Sequence, residues 1–151
     1  MVEDLGQTLT HELMDLSAAV DLIAQAAAAK LGVHQTDLIC LHLLVRNGPM
    51  SAGEVAAALG LTTAAISTMA GRLEAGGFAR REMDPHDRRR VLLHASPEGT
   101  QQAYGLFAGL YDAVGEVAAQ QEERDVVRLI ELLRSYRQLV SDHTAALRER
   151  D

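Results

Sequence analysis

Residues 51 to 99 constrain the fold more tightly than any other stretch of the chain. Ser51-Ala-Gly-Glu54 is a capping box, in which a serine and a glutamate three positions on satisfy each other's free backbone donors. The helix that it opens runs through Glu-Val-Ala-Ala-Ala-Leu and stops at Gly60. Thr62 offers the next N-cap hydroxyl, and Ile66, Met69 and Leu73 follow at spacings of three and four, which predicts a second helix over about 63–75. Gly76-Gly77 ends it, because glycine reaches the left-handed conformation cheaply. Phe78 to Met83 and Val91 to Ala95 then read as two strands around a polar Asp84-Pro85-His86-Asp87 turn. Two short helices joined by a tight Gly-Leu turn and followed by a hairpin make a winged helix-turn-helix. In that geometry a second helix can lie in the DNA major groove.

The charge distribution agrees with such a reading head. The net charge of −7 would by itself argue against nucleic acid. Residues 61–100, however, carry six arginines against five acids, a balance of +1, and leave −8 to the remainder. Five of those six arginines fall between Arg80 and Arg90, where phosphate contact would need them. Salt screens the acidic body beyond about 8 Å, so a local basic patch can still act. On the second helix, Ile66, Met69, Ala70 and Leu73 face inward, which leaves Thr63, Ala64, Ser67, Thr68, Gly71 and Arg72 outward. Ser67 and Thr68 can hydrogen-bond base edges or phosphates, alanine can touch a thymine methyl, and Arg72 can bind a guanine edge or a phosphate. Together with Thr62 these residues form the expected DNA-facing set. It holds few long polar side chains, so shape readout by the wing gains weight.

The run from Gly48 to Thr100 resembles the winged-helix core of the MarR family of bacterial transcriptional regulators. The wing is its most specific part: Asp87-Arg88-Arg89, followed nine residues after Asp87 by Ser96-Pro97-Glu98-Gly99, matches the family's D-x-R and its later threonine-or-serine-x-x-glycine. The resemblance implies that Arg89 enters a minor groove, that Arg88 and Arg90 contact phosphates, and that Asp87 orients Arg89 or braces the hairpin. Two positions depart from the usual pattern, since arginine is frequent at the position of Thr68 and a polar or charged residue at that of Gly71. Met50 is expected in a short strand that pairs with the wing.

The flanks read as long helices. Residues 4 to 31 place Leu5, Leu9, Leu13, Leu16, Val20, Ile23 and Ala27 on one stripe, which needs a partner helix from this chain or a second subunit. Val33 to Arg46 is the next helix, with Leu38, Leu41, Leu44 and Val45 inward, closed by Asn47-Gly48-Pro49. Ser96-Pro97 opens a helix to about Gln121, on which Tyr104, Phe107 and Tyr111 line one stripe. Glu122 to Arg148 forms the last, apolar on more than one side, and the chain closes on a few charged residues. By the resemblance, 1–32 and 97–151 are dimerisation helices around a 33–96 DNA-binding core, all in one domain. The expected fold is therefore mainly α with a small β-wing. The same resemblance places a pocket for a small aromatic effector among His42, Tyr104, Phe107 and Tyr111.

The chain is expected to be a cytoplasmic homodimer, a repressor bound to a pseudo-palindromic DNA duplex and released by a small-molecule effector. No signal segment is expected, since no charged run followed by an apolar one appears at the start, and no apolar run approaches the ~18 residues of a membrane span. No cofactor or metal is expected: Cys40 and His42 point about 200° apart on their helix and cannot share a metal by themselves. No enzyme is expected either, because no nucleophile–base arrangement or phosphate-cradling glycine loop appears. Two alternatives stay open, a redox-responsive regulator using Cys40 and a winged-helix protein-interaction module that does not bind DNA.

Overall fold

A computed structural model of the chain describes residues 2–148, and the charged end beyond Arg148 lies outside the described residues. The elements in chain order are α1 (Val2–Leu31), α2 (Gln35–Asn47), β1 (Met50–Ser51), α3 (Ala52–Leu59), α4 (Thr63–Ala75), β2 (Ala79–Met83), β3 (Val91–Ala95), α5 (Pro97–Ala119) and α6 (Glu123–Arg148). They fall into two compact units, one up to Phe107 and one from Ala108.

The first unit is a winged helix-turn-helix preceded by α1. Its local structure follows the capping chemistry. Ser51 Oγ accepts the Glu54 N–H at 3.3 Å while a Glu54 carboxylate oxygen accepts the Ser51 N–H at 2.7 Å. Gly60 ends α3 in the left-handed conformation at φ 63°. Two residues later Thr62 Oγ1 accepts the Ala65 N–H at 3.2 Å and starts α4 at the residue that the sequence indicates. Helix α2 opens at Gln35 rather than Val33, because His34 takes the extended N-cap conformation and Val33 turns inward against the core. Of the two glycines after α4, only Gly77 is left-handed, at φ 75°. Gly76 is helical, and what matters there is space: a Cβ would stand 2.7 Å from the Phe78 ring.

The sheet is antiparallel with strand order β1-β3-β2. Met50 pairs with Leu93, so the expected short strand does join the wing. The core sits where α2, α3 and α4 meet this sheet. Leu41, Leu44, Val55, Ile66 and Leu73 are its fully buried apolar side chains, closed off by Phe78 and Leu93. A smaller cluster gathers Ala27 and Ala28 of α1 and Leu38 of α2, with Phe107 of α5 packed against it.

Among the described residues, much of the long α1 stripe is exposed. Leu5 is 65 % exposed, and Leu16 and Val20 are exposed as well. The second unit comprises the later turns of α5 and all of α6. Val114, Val117, Leu129, Leu139 and Val140 are large apolar residues exposed on it. Among the described residues no single helix is long and apolar enough to cross a membrane.

Candidate nucleic-acid interface

Helix α4 separates two jobs by face. Ile66, Met69, Ala70 and Leu73 are buried, whereas Thr62, Thr63, Ala64, Ser67, Thr68 and Gly71 are exposed. The Ser67 and Thr68 hydroxyls donate back to the carbonyls of Thr63 and Ala64, at 2.9 and 3.2 Å. Their lone pairs still face outward and can accept from a base amine. An alanine Cβ at Gly71 would meet nothing within 4 Å. Gly71→Ala is therefore expected to stabilise the protein by about 1 kcal/mol, the helix-propensity difference. A urea melt checks this, and an unchanged or lowered midpoint would mean that the site is more crowded than it stands here.

Arg72 is exposed like its neighbours on this face, but it has a partner inside the protein. The sequence points it at DNA, yet its Nε and Nη2 donate to the two carboxylate oxygens of Asp37, at 2.8 and 2.5 Å. That hydrogen bond also raises the Arg72 pKa above its usual value. The Asp37 side chain is 1 % exposed, so two of the arginine's donors are committed to a buried carboxylate on α2. Sequence reasoning passed over Asp37. The signal was its spacing: Asp37, Leu41 and Leu44 stand four and three apart, on the inward stripe of α2.

The wing is built from two aspartates that fold the turn on itself. Asp84 accepts the His86 N–H at 2.9 Å, and Asp87 accepts the Arg89 N–H at 3.0 Å. Backbone bonds from Asp84 N to Arg90 O and from Arg90 N to Asp87 O close the loop, both at 2.9 Å. Asp87 thus braces the hairpin through the backbone.

The five hairpin arginines are not equivalent. Arg81 binds Glu74 and the Ser67 carbonyl, which straps β2 to α4. Arg80 pairs with Glu82. Arg90 reaches the capping-box carboxylate of Glu54 at 3.2 Å and Asp84 at 4.0 Å. Hydrogen bonds from the Ser51 hydroxyl and backbone, with Arg90 as a lesser cause, hold the Glu54 carboxyl below the usual range. Among the described residues Arg88 and Arg89 are the two wing arginines without a carboxylate partner, and both are exposed.

A further set of contacts, of which the sequence discloses only the Ser96 cap, pins the start of α5. Buried Ser96 donates its hydroxyl to the Gly77 carbonyl at 2.6 Å and accepts the Gly99 N–H at 2.9 Å. Its own N–H donates to the Phe78 carbonyl at 2.9 Å. The Ser96-x-x-Gly99 pattern is thus both a helix cap and a clasp on the turn after α4.

The expected effector residues are placed as follows. Phe107 is half-buried against Ala27, Ala28 and Leu38, while His42 on α2 and Tyr104 on α5 are exposed. Tyr111, in the second unit, is 40 % exposed. None of these four lines the cavity of about 260 Å³ bounded by Ala52, Ser67, Ala70, Arg81, Val91 and Leu93.

Cys40 is fully buried, and burial, reinforced by the nearby Asp37 carboxylate, pushes its thiol up to about 11. The thiol form therefore dominates there at pH 7. A thiol reagent is expected to label native Cys40 at least ~100-fold more slowly than the urea-unfolded chain. Equal rates would contradict the burial.

Comparison with known proteins bears on the whole arrangement. A family model described as MarR family matches residues 31–90, the span from the end of α1 to the turn of the wing. The chain is 32% identical over 123 residues to the uncharacterized HTH-type transcriptional regulator YcgE of Bacillus subtilis, covering 82% of this chain and 80% of that protein. Among solved structures it resembles a MarR family protein from Bacillus stearothermophilus, with a TM-score of 0.71 at 17% identity, over 93% of this chain and 99% of the other. It also resembles wild-type MarR in its apo form from E. coli, with a TM-score of 0.60 at 19% identity, over 85% and 96% of the two chains. The capping box, helix α4 and the D-x-R wing thus sit in a chain that belongs to the MarR family of winged helix-turn-helix transcriptional regulators.

Proposed function

We propose that this protein is a homodimeric repressor that reads a pseudo-palindromic operator and releases it when a small-molecule effector binds. The observation that carries the DNA-reading role is the pairing of an uncluttered outward face on α4 with two uncommitted arginines at the wing tip. Thr62, Thr63, Ala64, Ser67 and Thr68 would meet the major groove, Arg89 the minor groove, and Arg88 a phosphate. Arg90 would take a phosphate only by sharing its guanidinium with Glu54.

The uncovered apolar residues of α1, of α5 beyond Ala108 and of α6 support dimerisation, because a monomer rarely leaves so much apolar surface in water. Residues 1–32 and 97–151 would supply the dimer helices and 33–96 the reading core. A two-fold axis would set the two α4 helices about one DNA turn, ~34 Å, apart. Effector binding along the Tyr104, Phe107 and Tyr111 stripe of α5, with His42 of α2, belongs to the same proposal. Release follows if the effector binds better to a dimer whose heads no longer match that spacing. Burial of Cys40 weighs against a redox trigger.

Fluorescence anisotropy on the duplex upstream of the protein's own gene, beside a shuffled duplex and at several salt concentrations, tests the DNA-reading role. A preference of at least ~10³-fold for the native duplex with strong salt dependence is expected. Equal, weak binding to both, with no duplex enriched from a random library, would leave a protein-interaction module as the better account.

A further inference from the structure

Helix α4 is held against its neighbours by two kinds of contact with different angular tolerance. Ile66, Met69, Ala70 and Leu73 pack into the core, and such apolar contacts are non-directional. The Arg72–Asp37 pair is directional. A planar guanidinium meets both oxygens of one carboxylate, which sets distance and orientation together. Among the described residues these are the hydrogen bonds that join α4 to α2.

Position matters as much as strength. Arg72 lies one turn beyond Thr68 on the same stripe of α4, about 110° from the centre of the buried face. It is therefore a spoke at the side of the helix, where a rotation about the axis is resisted best. A turn of about 20° would carry the tips of Thr68 and Ser67 about 2 Å, which exceeds the tolerance of a hydrogen bond to a base edge. Thermodynamics points the same way. The Asp37 side chain is buried while that of Arg72 is 39 % exposed. An ion pair that takes a carboxylate out of water is often no more stabilising than apolar side chains of like volume, so its presence is better explained by the arrangement that it imposes.

We infer that Asp37, acting through Arg72, is a positioning residue for operator reading: the forked pair, anchored on the buried Asp37 carboxylate, fixes the rotation of α4, and with it which base edges Ser67 and Thr68 can reach. This rests on the DNA-reading role proposed above. Arg72 then contributes to specificity from behind the interface, without touching DNA.

The test uses the full chain and a duplex enriched from a random library by the wild-type protein, with a shuffled duplex as control. Anisotropy is read at several salt concentrations, and circular dichroism monitors folding. Arg72→Lys keeps the charge and loses the fork, and it is expected to lower the preference for the enriched duplex by ~10-fold or more. Binding to the shuffled duplex and the salt slope should stay unchanged. Asp37→Asn should lose the same preference, while the freed Arg72 charge leaves shuffled binding equal or slightly tighter. The double variant Asp37→Leu/Arg72→Met, which leaves no buried charge unpaired, keeps the test usable where Asp37→Asn does not fold, and it too should lose preference. A wild-type preference in either Arg72→Lys or the double variant overturns the inference. So does a salt slope that falls by about 1 in the double variant, since Arg72 would then be a phosphate contact. If the wild type enriches no sequence, the DNA-reading role itself fails and takes the inference with it.

Discussion

Gly99→Ala is expected to lower the unfolding free energy by about 3 kcal/mol. The reason is backbone contact. A Cβ at Gly99 would stand 2.5 Å from the Phe78 Cα and 2.8 Å from both the Phe78 carbonyl oxygen and Ser96 Oγ. Neither neighbour is free to retreat. The Phe78 N–H donates to the Leu73 carbonyl at 2.8 Å, its carbonyl accepts from Ser96, and the Ser96 hydroxyl bridges Gly77 and Gly99. Relief has to come from moving the first turn of α5 or from breaking the cap. Urea unfolding at a fixed protein concentration measures the loss, and the concentration matters because association shifts apparent stability. A midpoint equivalent to less than about 0.5 kcal/mol of destabilisation would show that the turn after α4 yields easily.

Arg89→Ala should leave stability within about 0.5 kcal/mol of wild type and weaken binding to the preferred duplex about 10- to 100-fold. The side chain is exposed and, among the described residues, unpaired, so its removal strands no buried charge. Asp87 keeps its bond to the residue-89 backbone N–H, so the turn should persist. The loss should be greatest on duplexes with an A·T-rich flank, where a narrow minor groove concentrates negative potential. Anisotropy on A·T-rich and G·C-rich flanks reads this directly. Undiminished affinity in the variant would remove the wing from the DNA interface.

Much of the reading head is legible in the sequence because its signals are local. The capping box, the Gly60 stop and the Thr62 cap each act within four residues, and they place α3 and α4 to within a residue of where they stand. The inward face of α4 follows from periodicity alone. What the sequence conceals is tertiary and charged. Periodicity tells that Arg72 leaves α4 on its flank, but the long stem can swing toward DNA or toward α2. That choice is made by a carboxylate 35 positions earlier. The run of arginines from 80 to 90 likewise reads as one basic patch. Its division into tied and untied members depends on Glu54, Glu74 and Glu82, which the fold brings alongside. Ser96 is recognisable as a cap, whereas its second bond to Gly77 needs the turn in place.

The separation of faces on α4 has an evolutionary consequence. The side chains of the exposed residues Thr63, Ala64, Ser67 and Thr68 form hydrogen bonds, where they form any, to carbonyls of their own helix. An exchange among polar or small side chains at these positions would change the surface offered to DNA while costing the fold little. A duplicated copy of the gene could therefore drift toward a new operator through many single steps, each leaving a folded protein. The Arg72–Asp37 pair, anchored on a buried carboxylate of α2, lies outside that exchangeable set.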